Sequence, residues 1–576
     1  MTRTFLVLAA SVALAAIPAG ATTIRVPDDY PLILDAMFFA TAGDTVLVEC
    51  GTYYECGIQM KPGVTLMSET GELGCVTIDA QYMGRIINCV DCGDSTAIIG
   101  IRLASGFVTS GYGGGVACTN SSPRLENLDF LFCHVENDPT SYGGGGLACV
   151  NSSPTLTSVE FNVCRVDGST VGGGGGMVTV GQSSPTLNDV TFNMCDTYGS
   201  GWGGGLSVQG YGGQVVRLKD VAFIDNDSST TGGGLYVGGS TTVLDDVVFD
   251  ANWAQDGGGG IHLHTCRSCT LRNVTFTENT AAYGMGGGLL CEMFPDGIAT
   301  MSDLTFLENT AATGGGGMAC NSSTVPDISW VTFALNSANL GGGLYVAYSP
   351  FELSNATFCQ NDATTAGGGI YLGGLNALDL ELDASIIAYS TSGGAIGQSG
   401  WGDTQLITCT DMYGNAGGDW VGPLAPLEAV DGNFSAQPLF CEMLNKIFTL
   451  HTASPCLPYG NDCGILIGAH DLGCPSSGVP EEETMLSAFP TSPNPFVSST
   501  ALYYELATDG VLNVSVYDVS GRLVRSVVDA EQREAGSGTV RWNGLDDGGR
   551  PVASGVYFFK VDFGGESVER RVVRLR

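Results

Sequence analysis

Ten times between residues 113 and 369 the chain runs three or more glycines into an apolar residue, and so regular a return restricts the fold to an array of like units. The last glycines of the runs are Gly115, Gly146, Gly176, Gly205, Gly234, Gly260, Gly288, Gly317, Gly343 and Gly369, giving spacings of 31, 30, 29, 29, 26, 28, 29, 26 and 26 residues. A second mark keeps step. Phe130, Phe161 and Phe192 each stand three residues before a cysteine (Cys133, Cys164, Cys195). Phe223, Phe249, Phe276, Phe306, Phe333 and Phe358 stand three before an asparagine (Asn226, Asn252, Asn279, Asn309, Asn336, Asn361).

Period-two alternation after each glycine run gives a short strand with one buried face. A second alternation, as in Leu271, Val274 and Phe276, gives two more strands broken at a polar residue. Three strands per unit describe one coil of a parallel β-helix. No coil buries its inward row alone, but coils stacked about 4.8 Å apart set like on like. The phenylalanines, Phe223, Phe249 and Phe276 among them, are expected in one internal column. Asn226, Asn252, Asn279 and their equivalents are expected at left-handed corners, bonding amide to amide along the stack. The glycine runs lack the Lys-Ser/Thr of a phosphate loop and read as architecture.

The Gly-Gly-x-apolar mark alternating with Phe-x-x-Asn resembles the repeat of chlamydial polymorphic outer-membrane proteins and, more broadly, pectin-lyase-like β-helices. It departs from the former in its third glycine and in the three early cysteines. The resemblance implies an all-β, right-handed parallel β-helix. Ile24 to Pro31, the Leu32 to Ala40 stretch and Gly43 to Val48 look like the opening of such a helix, with a short amphipathic helix plugging the end.

Residues 1–21, with Arg3, an apolar run and a small Ala-x-Ala end, read as a secretory signal. Residues 22–112 follow as cap and first coils, 113–396 as glycine-rich coils, and 397–474 as last coils and C-terminal cap. A Pro, Ser and Glu linker (475–484) leads to a β-sandwich over 485–576. There Pro493-Asn494-Pro495-Phe496, Tyr517 to Arg522, Trp542-Asn543-Gly544 with Asp546-Asp547-Gly548, Gly555-Val556-Tyr557 and the terminal Arg571-Val572-Val573-Arg574 resemble the C-terminal domain of type IX secretion substrates. They are equally similar to the Ig-like domain of flagellar hook-capping proteins. The first resemblance implies export by the secretion machinery to the medium or the outer surface of a Gram-negative-type bacterium.

The formal charge of -37 falls almost wholly before residue 485, since the last 92 residues hold 11 acids and 10 bases. Such a body repels nucleic acid and attracts cations. No stretch reaches the roughly 18 apolar residues of a spanning helix. Twenty cysteines suit an oxidising compartment. Cys456, Cys463 and Cys474 are expected to staple the C-terminal cap. Cys118 with Cys149, Cys291 with Cys320, and Cys133, Cys164 and Cys195 fall on equivalent places of successive coils, within bridging range or as packed thiols.

Candidate chemistry lies in three places. Asp189, Asp220 and Asp246 fall on consecutive coils, where they suit a shared Ca²⁺ or, with Arg217 and Lys219 beside Asp220, a lyase or hydrolase site; Asn and Ser at the same place in other coils fit a plain Asx corner. His262 and His264 alternate toward solvent, with Glu292 beside His264 on the next coil and Cys266 extending the row. That pattern can take Zn²⁺, although Cys266 with Cys269 also reads as a local disulfide. Tyr236, Tyr345 and Tyr371 share one outward strand position, where rings receive sugars or simply stabilise the sheet. Two functions stay open: a monomeric, non-enzymatic adhesin-like or structural protein binding extracellular polysaccharide or cell-surface glycan, and a polysaccharide lyase or glycoside hydrolase on acidic polymer. Only eleven cations between residues 22 and 484 favour the first.

Overall fold

The computed structural model describes residues 21–576 except 137–142, 170–171, 211, 293–297, 322–325, 348–350, 375–379, 400–404, 475–485, 489–494, 498, 507–508, 520, 534–535, 565 and 576. The expected signal, the linker and most of the Pro493 to Pro495 motif lie outside the described residues. The body is a parallel β-helix of about 14 turns. Its strands form a 13-stranded sheet, a 19-stranded sheet and a 10-stranded sheet, in-register and parallel.

One coil explains the rest. Gly258 to Gly260 lead into the strand Ile261–His264, a left-handed corner at Thr265 follows, and the long strand Ser268–Thr277 is bent at Asn273. After a second corner at Glu278, the two-residue strand Thr280–Ala281 completes the turn. The third strand therefore follows the asparagine. The two strands expected on either side of the polar residue are one strand with a kink.

Each glycine of the run is needed for a different reason. Gly258 has φ +61; a Cβ on Gly259 would lie 2.3 Å from the Gly287 carbonyl oxygen of the next coil; one on Gly260 would lie 2.9 Å from the Phe276 ring. The run is thus the closest approach of one coil to the next and to its own phenylalanine.

Phe130, Phe161, Phe192, Phe223, Phe249, Phe276, Phe306, Phe333 and Phe358 are fully buried and stack face to face, with centroids 4.6 to 5.1 Å apart. The asparagines form the expected amide ladder: Asn226 Nδ2 donates to Asn252 Oδ1 at 2.9 Å, and the pattern continues through Asn279, Asn309, Asn336 and Asn361. They do not occupy the corner itself. The left-handed residue is the one before, Asp225, Ala251, Glu278, Glu308, Leu335 or Gln360, while the asparagine points inward and is fully buried.

At the N-terminal end the helix Ile33–Phe39 covers the stack with Ile33, Ala36 and Met37. No side chain caps it from Leu32. Instead the Glu55 carboxylate accepts the Ile33 and Leu34 N–H groups, both at 2.9 Å. Disulfides join Cys50 to Cys75, Cys266 to Cys269, Cys409 to Cys463, and Cys441 to Cys474. Cys463 and Cys474 staple the C-terminal cap as expected, but Cys456 does not. It is a buried thiol 3.4 Å from Asp411 Oδ2. The stacked cysteines of successive coils also form no disulfides with one another.

The C-terminal module packs a three-stranded sheet (Leu486–Ala488, Thr500–Leu506, Gly536–Trp542) with a four-stranded one (Gly510–Asp518, Leu523–Arg533, Gly555–Phe563, Glu566–Arg574). Trp542, Phe496 and Phe559 fill its core. Two of its sequence motifs are turns: Asp518 accepts the Arg522 N–H and pairs with its guanidinium, and Asp546 does the same for Arg550, whereas Gly555-Val556-Tyr557 opens a strand.

Candidate functional site

The aspartate column sits at the bend of the long strands. Asp189, Asp220 and Asp246 have φ of 54°, 53° and 57°, as do Asn127, Ser158, Asn273, Asp303, Trp330 and Asn355 within a few degrees. This is the Asx corner, which short polar side chains tolerate best. Asp189 accepts a hydrogen bond from Ser158 Oγ at 2.6 Å, and Asn273 Nδ2 donates to Asp246. Partial burial raises the Asp220 carboxyl above its ordinary value, opposed by Lys219. The ligand oxygens of Asp189, Asp220 and Asp246 do not all lie within 4.8 Å of one another. Arg217 and Lys219 lie on the same strand, exposed to solvent.

The tyrosine column is not the open face that alternation suggested. Tyr236 and Tyr371 are only 6% and 8% exposed, and Tyr345 is half-buried. The incoming chain ahead of each glycine run, at Thr231, Gly257, Met285, Gly314 and Leu340, bridges coil to coil in a ladder of its own. Its Gly314 lies against the Tyr345 ring, where a Cβ would come within 2.8 Å. Tyr345 and Tyr371 do stack, with centroids 5.8 Å apart, and Tyr236 packs on Trp202 at 4.8 Å.

The same covering changes the histidines. His262, in register with Tyr236 before it and Leu290 after it, is 6% exposed rather than solvent-facing. His264 pairs with Gly238 and Glu292 and stays partly open. Glu292 reaches both rings: its Oε2 lies 3.3 Å from His262 Nε2 and 3.8 Å from His264 Nδ1. Neither nitrogen of His262, nor His264 Nδ1, makes a hydrogen bond. A buried unsatisfied polar group costs about 1–3 kcal/mol, so His262 is an expensive occupant of a column held in neighbouring coils by Ser207, Tyr236, Leu290, Ala319 and Tyr345. Burial lowers the His262 pKa, opposed by Glu292, while His262 lowers that of Glu292. Asn321 Nδ2 donates to the other Glu292 oxygen at 3.4 Å. Cys266 is tied to Cys269 and buried, so it does not extend the row. The reach of Glu292 to His262 as well as His264 runs diagonally across coils, and only the coil register reveals it.

Sequence reasoning missed a second group. Asp196, Asp225, Asp227 and Asp250 lie where the cysteine column gives way to asparagine, and burial raises all four, Asp196 to about 6 and Asp250 to about 7. Nothing in the spacing marks them.

The fold and module agree with known families. The right-handed β-helix region model matches residues 204–385, and the FlgD Ig-like domain model matches residues 498–565. The protein is thus a β-helix followed by an Ig-like domain. Among solved structures, dimeric latent PorU from Porphyromonas gingivalis is 17% identical over 18% of this chain and 10% of that one, with a TM-score of 0.14. The chain therefore spans about a tenth of that protein. No curated protein matches the chain. Among the described residues, no helix is long and apolar enough to cross a membrane.

Proposed function

We propose that this is an exported β-helix rod, secreted or held at the outer surface of a Gram-negative-type cell, that binds extracellular polysaccharide or cell-surface glycan without catalysis. Residues 485–576 serve as the sorting module recognised by the secretion machinery. One observation carries the reading: the residues that recur from coil to coil are committed to stacking. Phe, Asn or Cys and the three glycines all point inward or against the neighbouring coil, while the outward positions differ between coils and give the body its acidity. A repeat of this kind supports a stiff, variable display surface. The likeness of residues 498–565 to the FlgD Ig-like domain supports an accessory C-terminal module, and its motifs in order support sorting.

The alternative, a lyase or hydrolase, draws on the raised Asp220 carboxyl beside Lys219 and Arg217. A panel of acidic and neutral polysaccharides, with and without Ca²⁺, separates the two. The rod reading expects retention on one class of glycan with polymer length unchanged. Ultraviolet absorbance of unsaturated uronate, or new reducing ends, lost in Asp220→Asn, overturns it. In a host with type IX secretion, removal of residues 485–576 should trap the body in the periplasm, whereas unchanged surface display refutes the sorting role.

A further inference from the structure

We propose that His262, His264 and Glu292 bind one divalent transition-metal ion of the Zn²⁺ class between two adjacent coils. Alternate residues of one strand project to one side, so Ile261–His264 presents both imidazoles together, and in-register stacking brings Glu292 of the next coil beneath them. One ligand atom from each residue lies within 4.8 Å of the other two. A tetrahedral Zn²⁺ with bonds of about 2.0–2.1 Å separates its ligand atoms by about 3.3 Å. The separations of 3.3 and 3.8 Å from Glu292 Oε2 already approach that edge.

The independent sign is His262. It is more than nine-tenths buried, neither ring nitrogen makes a hydrogen bond, and its Nε2 faces the Glu292 carboxylate off the hydrogen-bonding axis. A metal ion seated between them would replace that long 3.3 Å contact with two direct bonds. Tyr236 packs against both rings, with centroids 5.4 and 6.3 Å away, and Trp202 backs Tyr236, so the ligands are held from one side. Asn321 donates to the other carboxylate oxygen, Oε1, at 3.4 Å. The His264 and Glu292 side chains keep 30% and 28% of their surface, which leaves the remaining coordination position to water. Two imidazoles exclude Ca²⁺ and Mg²⁺ as the preferred guests, since those take oxygen ligands.

The experiment uses the full secreted chain, stripped with a chelator and titrated with ZnCl₂ by calorimetry and with Co²⁺ by visible absorption. One site per chain is expected, with the intense d–d bands of low-coordinate Co²⁺, persisting in excess Ca²⁺ that occupies the acidic surface. Changes to outer partners cost 10- to 100-fold in affinity, so His264→Ala and Glu292→Gln should each weaken Zn²⁺ by about 100-fold or more, and Asn321→Ala by about 10-fold. Both ligand positions are partly exposed, and far-ultraviolet circular dichroism with a metal-free melt verifies that the variants fold. Zn²⁺ should raise the melting temperature of the parent and not of His264→Ala. Superimposable Zn²⁺ titrations of parent and His264→Ala, or release of all bound Zn²⁺ by Ca²⁺, would overturn the site.

Discussion

The coils of Cys133, Cys164 and Cys195 and those of Asn226 to Asn361 fill the same internal slot in two ways. In both, the slot residue donates to a phenylalanine-row carbonyl of a preceding coil: Cys164 Sγ to Phe130 O at 3.4 Å, Asn279 Nδ2 to Phe249 O at 3.0 Å. The asparagine does more. Its Oδ1 accepts both the backbone N–H of Asn252 at 3.0 Å and the Asn252 amide at 2.9 Å, while its own Nδ2 also reaches Asn309. Sulfur is a weak acceptor, so at the slot Cys133 and Cys164 are held by packing and an S–H bond, while Cys195 also donates its backbone N–H to Asn226 Oδ1 at 3.0 Å. Burial beside Cys133 and Cys195 raises the Cys164 thiol well above its ordinary value and keeps it neutral. Equal backbones thus carry unequal coupling between coils.

The largest effect should be common to both regions. Gly145→Ala and Gly259→Ala each drive a Cβ to 2.3 Å from a carbonyl oxygen of the next coil, and each should cost about 4 kcal/mol or more in chemical denaturation. A marked difference between them would break the claim that the two regions share one backbone.

The slot residue should then separate the regions. Asn279→Ala leaves Asn252 and the Phe249 carbonyl with unmet bonds and should cost about 2–3 kcal/mol, against about 1 kcal/mol for Cys164→Ala. Replacing all three cysteines together (Cys133→Asn, Cys164→Asn, Cys195→Asn) should extend the ladder and hold or raise stability. Cys164→Asn alone should destabilise, because its amide then faces sulfur on the next coil. A fall in the triple variant as large as in the single one would refute the ladder as the cause.

The smallest effect is the pH response at the junction. Asp250 and Asp196 have folded values of about 7 and about 6, above the ordinary 3.8, so the folded chain holds extra protons across those windows. Stability should fall as pH rises from 4 through 7. Asp250→Asn should remove the part extending to about 7, and Asp196→Asn the part ending near 6. Denaturation midpoints at pH 4, 6 and 8 decide it, and an unchanged slope in Asp250→Asn counts against a buried carboxyl there.

Much of this was legible because repetition makes sequence position equal to spatial position. Phe223, Phe249 and Phe276, or Asn226, Asn252 and Asn279, needed only a common offset to be placed in columns. The corner before each asparagine was not legible. Asp225, Ala251, Glu278 and Leu335, like Phe132, Val163 and Met194 before the cysteines, have no shared preference for left-handed backbone, and the turn between the second and third strands imposes it on them whichever residue fills the slot. Alternation located Tyr236 and His262 on the outer side of their strand but said nothing of the chain segment that covers them. Cysteine partners 33 and 54 residues away, Cys441 with Cys474 and Cys409 with Cys463, lie in the irregular cap where no period connects them.

Native-state hydrogen exchange read coil by coil tests the unequal coupling most directly. Exchange should be slower at Asn252, Asn279 and Asn309, whose N–H groups bond to the next asparagine, than at Cys133 and Cys164. Exchange at the two cysteines as slow as at the asparagines would contradict it.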